Sequence, residues 1–435
     1  MFPRLLNYWH DLRSSLWALP LLMMAVAAVA AVLAVHVPVR SGDDPVWFLY
    51  SGDAEDAPQF LSNLVTAMIT MATLAVSITM VVLTLAAQQL GPRLIRSFMA
   101  DRRTQITLGL FVATVVYLLL VLRTSYGATD RVPNLAVTGG TVLVLVCLVA
   151  LLVFVHHLAR SIIADTTIDR VGAALDRDVE RLLPEARDVA DVLPAALPRG
   201  SGAQFLLHAS GYVQSINHDG IVECAREMGA VVELEVKPGR HVIAGGGAGW
   251  ITPPHAATEA LRERIATCVV TGGERSSVQD LETSIRHLVE VALRALSPSV
   301  SDPFTAIAVV DRLTESLAKI MQRGSPRCVW RDQDGTVRLL MPATTFADIV
   351  EEAFRQIRQH SHDQPAVLIR LVESFGKLLE QANADQRAVL EEKLAIVVET
   401  GRGSIQQEKD LAALEAAAAA ALKSDRRGPV GGGKP

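Results

Sequence analysis

Hydrophobic and polar positions are distributed unevenly along this chain. Four windows free of charged residues lie between Arg13 and Arg40, Asp56 and Arg93, Arg103 and Arg123, and Arg131 and Arg160. A helix rises about 1.5 Å per residue and needs about 20 residues to cross a bilayer's hydrocarbon layer, so each window is long enough to span. The pattern predicts four transmembrane helices, at 15–37, 61–88, 105–123 and 135–157. The third fits most tightly: Ile106 to Leu122 is nearly all apolar, which predicts a crossing with little tilt and Arg103 and Arg123 at the two interfaces. The first window is read as a span, because its apolar run continues to Val37, longer than a usual signal-peptide core. A cleaved signal peptide, with Arg4 and Arg13 as its basic start and Ala28-Val29-Ala30 before the cut, is the alternative.

Within the second span the polar residues are ordered. Asn63, Thr66, Thr70, Thr73, Ser77, Thr84 and Gln88 follow one another at spacings of three, four or seven, which at about 100° per residue confines them to one narrow face. Leu64, Ala75, Val82 and Leu85 lie off that face, and Thr79 is the one hydroxyl off the stripe. Two readings stay open. The hydroxyls bond neighbouring helices or their own backbone carbonyls, or they line a water-filled pore in a symmetric oligomer. None of the four windows has an ionisable carboxylate or cation at mid-membrane, which disfavours proton-coupled pumping and ion-coupled transport relative to passive conduction.

Beyond Arg160 the pattern becomes that of a non-membrane region. The span from Ile162 to Leu183 predicts an amphipathic helix with apolar positions Ile168, Val171, Leu175, Val179 and Leu182, suited to lie along the membrane or to coil with copies of itself. Pro184, Pro194, Pro198, Gly200 and Gly202 mark a linker. Residues 204–254 then predict a small, bent β-sheet with runs at 211–216 and 231–236 and turns at Asp219-Gly220 and Pro238-Gly239. The run Gly245 to Gly249 lacks the lysine and helix of a phosphate cradle and reads as a flexible loop. Residues 255–402 predict a helical subdomain with a β-hairpin around Asp332-Gln333-Asp334-Gly335. One helix begins in a capping box at Ser277 and Asp280, another begins at Asp302-Pro303, and further helices cover Thr345 to His360, Pro365 to Ala382 and Asp385 to Thr400. An alanine-rich helix and a disordered tail complete the chain over 403–435. The expected fold is therefore a polytopic α-helical membrane domain, 1–160, a juxtamembrane helix and linker, 161–203, and a cytoplasmic α+β domain.

Composition agrees with this division. Half of the 435 residues are hydrophobic and only 20% are charged. Mean hydropathy is +0.30. The excess of apolar residues lies before Arg160. A net charge of −5 gives no basic balance suited to nucleic acid. Arg4, Arg13, Arg93, Arg96, Arg102, Arg103, Arg160 and Arg170 all fall on one side of the predicted spans, while on the other the first loop sets Asp43, Asp44, Asp53, Glu55 and Asp56 against a single Arg40 and the short second loop carries Asp130 and Arg131. Both termini are therefore expected in the cytoplasm. Trp9, Trp17, Trp47 and Tyr50 suit an interfacial belt.

Catalytic chemistry finds no motif. There is no G-x-S-x-G elbow, no H-E-x-x-H, no Walker lysine and no kinase signature. The four cysteines lie far apart without C-x-x-C, so no cofactor or structural metal is expected. The adjacent pair His156-His157 points its two rings about 100° apart, which suits an interfacial role better than a metal site, and His360-Ser361-His362-Asp363 reads as a solvated loop before Pro365. One polar cluster, Arg275, Gln279, Asp280, Asp302 and Arg312, is a candidate ligand site, although each member also suits a helix cap or a surface ion pair. The expected partners are the lipid bilayer, further copies of the chain, and an ion or small solute.

Several segments carry a resemblance. Arg294-Ala-Leu-Ser-Pro-Ser-Val-Ser-Asp-Pro-Phe-Thr-Ala306, with Gly273 to Asp280 before it, Ser210-Gly-Tyr-Val-Gln214 earlier, and Gln88-Gln-Leu-Gly-Pro-Arg93 after the second span, resembles a family of bacterial membrane proteins catalogued as a domain of unknown function. The resemblance runs from about Trp9 to about Thr400 and departs from the family pattern at Ser301, where Asn is expected. It implies a bacterial cytoplasmic membrane and supplies no activity.

Overall fold

The computed structural model describes residues 18–36, 50, 56–90, 101–126, 134–161, 164–185, 202–342 and 344–423. The cations Arg4, Arg13, Arg40, Arg93 and Arg96, the tryptophans Trp9, Trp17 and Trp47, the acidic residues 43–55 and the terminal tail lie outside these residues. The chain divides into two compact units, Met1–Thr166 and Thr167–Pro435.

In the first unit, α1 (Ala18–His36), α2 (Asp56–Leu90), α3 (Arg102–Ser125) and α4 (Asn134–Ser161) are long and apolar enough to cross a membrane. The third span is the hub: α3 packs against α1, α2 and α4 and is the most buried of the four. Small residues permit the close approach. A Cβ at Gly109 would lie 2.7 Å from Met23 Sδ of α1, and one at Gly140 would lie 2.7 Å from Leu118 Cδ2 of α3. Polar contacts fix the register, since Tyr117 Oη donates to the Ala136 carbonyl at 3.0 Å and Thr114 Oγ1 meets Cys147 Sγ at 3.2 Å. At one end of the bundle Asp101 caps α3 through Thr104 and accepts from His157 Nε2 at 2.8 Å, which ties the start of α3 to the end of α4. His157 of the histidine pair thus has a carboxylate partner, and His156 is exposed.

The second unit opens with α5 (Ala164–Leu182). Its apolar stripe, Ile168, Val171, Leu175, Val179 and Leu183, is buried, with Leu183 taking the inward place expected of Leu182. The sheets follow: β1 (Ala203–Leu206), β2 (Gly211–Ile216), α6 (His218–Glu227), β3 (Val231–Leu234), β4 (His241–Val242), β5 (Gly247–Thr252), α7 (Glu259–Cys268) and β6 (Val269–Gly272). Next come α8 (Leu281–Ala295), α9 (Pro303–Met321), the hairpin β7 (Val329–Arg331) and β8 (Val337–Leu340), α10 (Phe346–His360), α11 (Pro365–Leu379), α12 (Ala384–Ser404) and α13 (Glu408–Lys423).

The strands form two small sheets rather than one bent sheet. One has the order β1-β5-β3-β8-β7, antiparallel except for the parallel β3–β8 pair, and the other has the order β4-β2-β6. Both cross the boundary expected at 254, because β6 and the hairpin at 329–340 pair with strands from before it. Asp219-Gly220 is not a hairpin turn. It lies in the first turn of α6, where Asn217 caps the Gly220 N–H at 3.1 Å and Ile221, Cys224 and Ala225 are buried in the sheet core.

The glycine run is not a flexible loop either. Gly245 turns at φ +79° and Gly247 to Gly249 enter β5, where a Cβ at Gly249 would lie 2.1 Å from the Glu233 carbonyl oxygen. The capping box expected at Ser277 is replaced by Asp280 itself as N-cap of α8, accepting from the Thr283 N–H at 3.3 Å. In the helical part Phe354 of α10 meets Phe375 of α11 edge-on at 5.2 Å. The alanine-rich α13 lies against α11, where Gly376 admits Ala421.

The amphipathic α5 buries its apolar face within its own chain. Ser284 Oγ of α8 donates to Asp178, and Arg312 of α9 crosses α5 at Gly172, donating to Asp176 Oδ2 at 2.7 Å. Ser316 Oγ donates to Asp176 Oδ1 at 2.8 Å, and Lys319 also pairs with this carboxylate.

Candidate functional site

Two places carry the polar groups singled out from the sequence, one in each unit. In the first, α2 turns Leu61, Val65, Met68, Ala75, Thr79 and Val82 into the bundle. These positions repeat at spacings of three, four and seven, and the hydroxyl stripe lies about 160° away from them at 100° per residue. Asn63, Thr66, Thr70, Thr73, Ser77 and Thr84 are all exposed, while Thr79, the hydroxyl off the stripe, is buried. The side chain of Gln88 lies outside the described residues.

None of the described stripe hydroxyls bonds another helix of the chain. Thr66, Thr70, Thr73 and Thr84 donate instead to carbonyls four residues earlier, those of Ser62, Thr66, Ile69 and Met80, at 2.8–2.9 Å. Asn63 Oδ1 accepts from Gln59 one turn earlier at 3.5 Å. A hydroxyl that has spent its proton this way keeps its acceptor lone pairs. The outer face of α2 is therefore a ridge of oxygen acceptors, flanked by exposed Ile69, Leu74, Val76, Met80 and Val81. The other outward faces differ in kind. Exposed positions of α1 include Leu21, Leu22, Val26, Val29 and Leu33, and those of α4 include Val142, Leu145, Val149, Leu152 and Val153.

In the second unit the cluster expected around Arg275 separates. Asp302 caps α9 through the Thr305 N–H at 3.1 Å, and Arg312 is held by Asp176. Gln279 clamps β2, its Oε1 accepting from the Ile216 N–H at 2.8 Å and its Nε2 donating to the Ile216 carbonyl at 3.1 Å. Arg275 stays near Asp280 and lines a cleft of about 240 Å³ between the β3–β4 turn, the segment leading into α8, and α10. Arg275 lies over the Tyr212 ring at 5.9 Å. Gly239, at φ +83°, closes over Asp280, where a Cβ would lie 2.0 Å from Oδ2.

Burial sets the electrostatics. Asp280 is pushed above the ordinary aspartate range by desolvation, which its bonds to Thr283 only partly offset. Asp176 is desolvated too, but hydrogen bonds from Arg312, Lys319 and Ser316 outweigh the burial and hold its carboxyl below the ordinary value. His218, stacked on Trp330 at 4.4 Å, is pushed down by burial.

Sequence reasoning missed Lys237, Arg240, Glu282, Asp348, Glu351, Glu352 and Arg355, which complete the lining of the cleft. One signal was readable. Asp348, Glu351, Glu352 and Arg355 stand at i, i+3, i+4 and i+7 on one face of a legible helix. Among the described residues, no group of three or more His, Cys, Asp or Glu side chains is placed to hold a metal ion.

The chain has relatives of the expected kind. The family model described as "Predicted membrane protein (DUF2254)" matches residues 13–377, and the chain belongs to that family. Uncharacterized proteins of Mycobacterium tuberculosis and Mycobacterium bovis are each 32% identical to it over 422 residues, covering 95% of this chain and 81% of the relative. No solved structure matches.

Proposed function

We propose that this DUF2254 member is a homo-oligomer of the bacterial cytoplasmic membrane in which copies of α2 meet across their hydroxyl faces and line a passive path for an ion or small solute, with both termini and the second unit in the cytoplasm. The observation that carries this reading is the contrast between outward surfaces. Exposed Leu and Val on α1 and α4 are what lipid selects, whereas α2 turns a row of hydroxyl and amide groups, interrupted only between Ser77 and Thr84, the same way. A lipid-facing helix gains nothing from such a row. A wet path between copies gains a rank of acceptor oxygens suited to water and cations. The absence of an ionisable residue in the middle of any described span supports passive conduction over pumping.

A non-conducting membrane-anchored sensor or scaffold is the second reading, favoured by the cleft around Arg275. Recording from purified protein in planar bilayers separates the two. Unitary currents whose amplitude changes in Thr73→Val and Ser77→Ala support the path. Silence across voltage, tension and pH, with a closed dry bundle in the oligomer, supports the scaffold.

A further inference from the structure

The cleft in the second unit is lined by four cations, Lys237, Arg240, Arg275 and Arg355, and four carboxylates, Glu282, Asp348, Glu351 and Glu352, unevenly paired. Its carboxylates are already engaged: Glu282 accepts from Lys237 Nζ at 2.7 Å and from Thr344 Oγ1 at 3.2 Å, and Glu352 takes two nitrogens of Arg286. Glu351 pairs with Lys393 at 3.1 Å and with Arg355 at 3.6 Å, and Asp348 caps the Thr345 N–H at 2.9 Å. Arg286 and Lys393 reach these acids from outside the lining, and two cations of the wall have no carboxylate hydrogen-bonded or ion-paired to them among the described residues.

Those two are Arg240 and Arg275. Arg240 is exposed and has no acceptor among the described residues. Nε and Nη1 of Arg275 are buried without a hydrogen-bond acceptor, its nearest company being the Tyr212 ring face and the buried Asp280. A buried guanidinium nitrogen left unmatched is costly, and the shape and charge that relieve it are those of an oxyanion.

We infer that this cleft binds a phosphate group, with Arg240 and Arg275 as its cationic ligands and Lys237 contributing to the field. A doubly charged oxyanion matches two unspent guanidinium groups better than a single carboxylate does. The volume of about 240 Å³ suits inorganic phosphate, a small phosphomonoester or the phosphate of a lipid headgroup, and falls below the ~300–1,000 Å³ of clefts that enclose larger ligands. Because the cleft joins the β3–β4 turn to α10, a bound phosphate would bridge the sheet and helical parts of the unit. The inference holds whether or not α2 lines a conducting path.

The test is thermal unfolding and calorimetric titration of the full chain in detergent, with inorganic phosphate added at constant ionic strength. Phosphate is expected to raise the wild-type melting temperature in a saturable way, and Arg240→Gln to weaken binding by about tenfold or more. Arg275→Gln is expected to abolish binding; if that variant does not fold, Arg240→Gln, an exposed substitution, decides alone. Binding of short-chain phosphatidic acid but not of inorganic phosphate, with the same Arg240 dependence, upholds the site and assigns it to a lipid headgroup. No response of the wild type to either probe, or a response that Arg240→Gln leaves unchanged, overturns the inference.

Discussion

Three aspartates, Asp101, Asp280 and Asp302, make the same local contact, a carboxylate capping a helix through a threonine three residues on. Surroundings then separate two of them. Asp302 is half-exposed, and the Thr305 hydroxyl at 2.6 Å holds it below the ordinary aspartate value, whereas burial drives Asp280 above it. An acid with a lowered folded value adds stability that is complete above about pH 4 and fades as the pH falls through that lowered value. Asp302→Ala should therefore cost about 1 kcal/mol at neutral pH, and the difference from wild type should shrink on acidification, as read by denaturant unfolding of the full chain. A cost that is the same at pH 3 and pH 7 contradicts the capping account. The neighbouring Ser301 stands at φ +49°, the one described non-glycine residue in the left-handed region. Asn, the residue expected there from the family resemblance, tolerates that conformation several-fold better than Ser, so Ser301→Asn should stabilise the chain by about 0.5–1 kcal/mol. An unchanged or lower melting temperature would show that the backbone strain is not what distinguishes the position.

Helix α5 shows how one element is fixed by a single missing side chain. Arg312 crosses it at Gly172, where any Cβ would lie 2.1 Å from the guanidinium Nε, and reaches Asp176. Gly172→Val should push Arg312 off this seat, cost about 1–3 kcal/mol, and expose 164–185 to limited proteolysis. Unaltered protection would mean that α5 docks by its apolar stripe alone. The stripe itself was legible, because a 3.6-residue period survives whatever covers it; the covering surface was not, because α8 and α9 lie more than a hundred residues further along the chain. Helices begun by Asp302-Pro303 and Gln364-Pro365 were legible for local reasons, a preset φ at both and a side-chain cap at Asp302. Helix α6 was missed because Asp219-Gly220 has turn chemistry, and packing of Ile221, Cys224 and Ala225 overrides it. The cleft was half legible. Arg275 and Asp280 are near in sequence, but Arg240 joins them only through the β4-β2-β6 sheet, and the acids of α10 only through the docking of α10 on α8.

At the scale of the molecule, the chain is two proteins of different composition in one. The membrane unit packs around α3 by small residues and a few interhelical hydrogen bonds, and leaves the polar face of α2 with no partner helix in its own chain among the described residues. That outward face is the centre of the functional account, and a cysteine scan of α2 in native membranes tests it most directly. Single cysteines at Thr66, Thr70, Thr73 and Ser77 would be compared with cysteines at the flanking exposed positions Ile69, Leu74 and Val76, using a membrane-impermeant, water-soluble thiol reagent. A wet face along one side of α2 gives modification of the stripe positions and protection of the flanking ones. Stripe cysteines as unreactive as the flanking ones, in membranes where a loop cysteine labels fully, would contradict it.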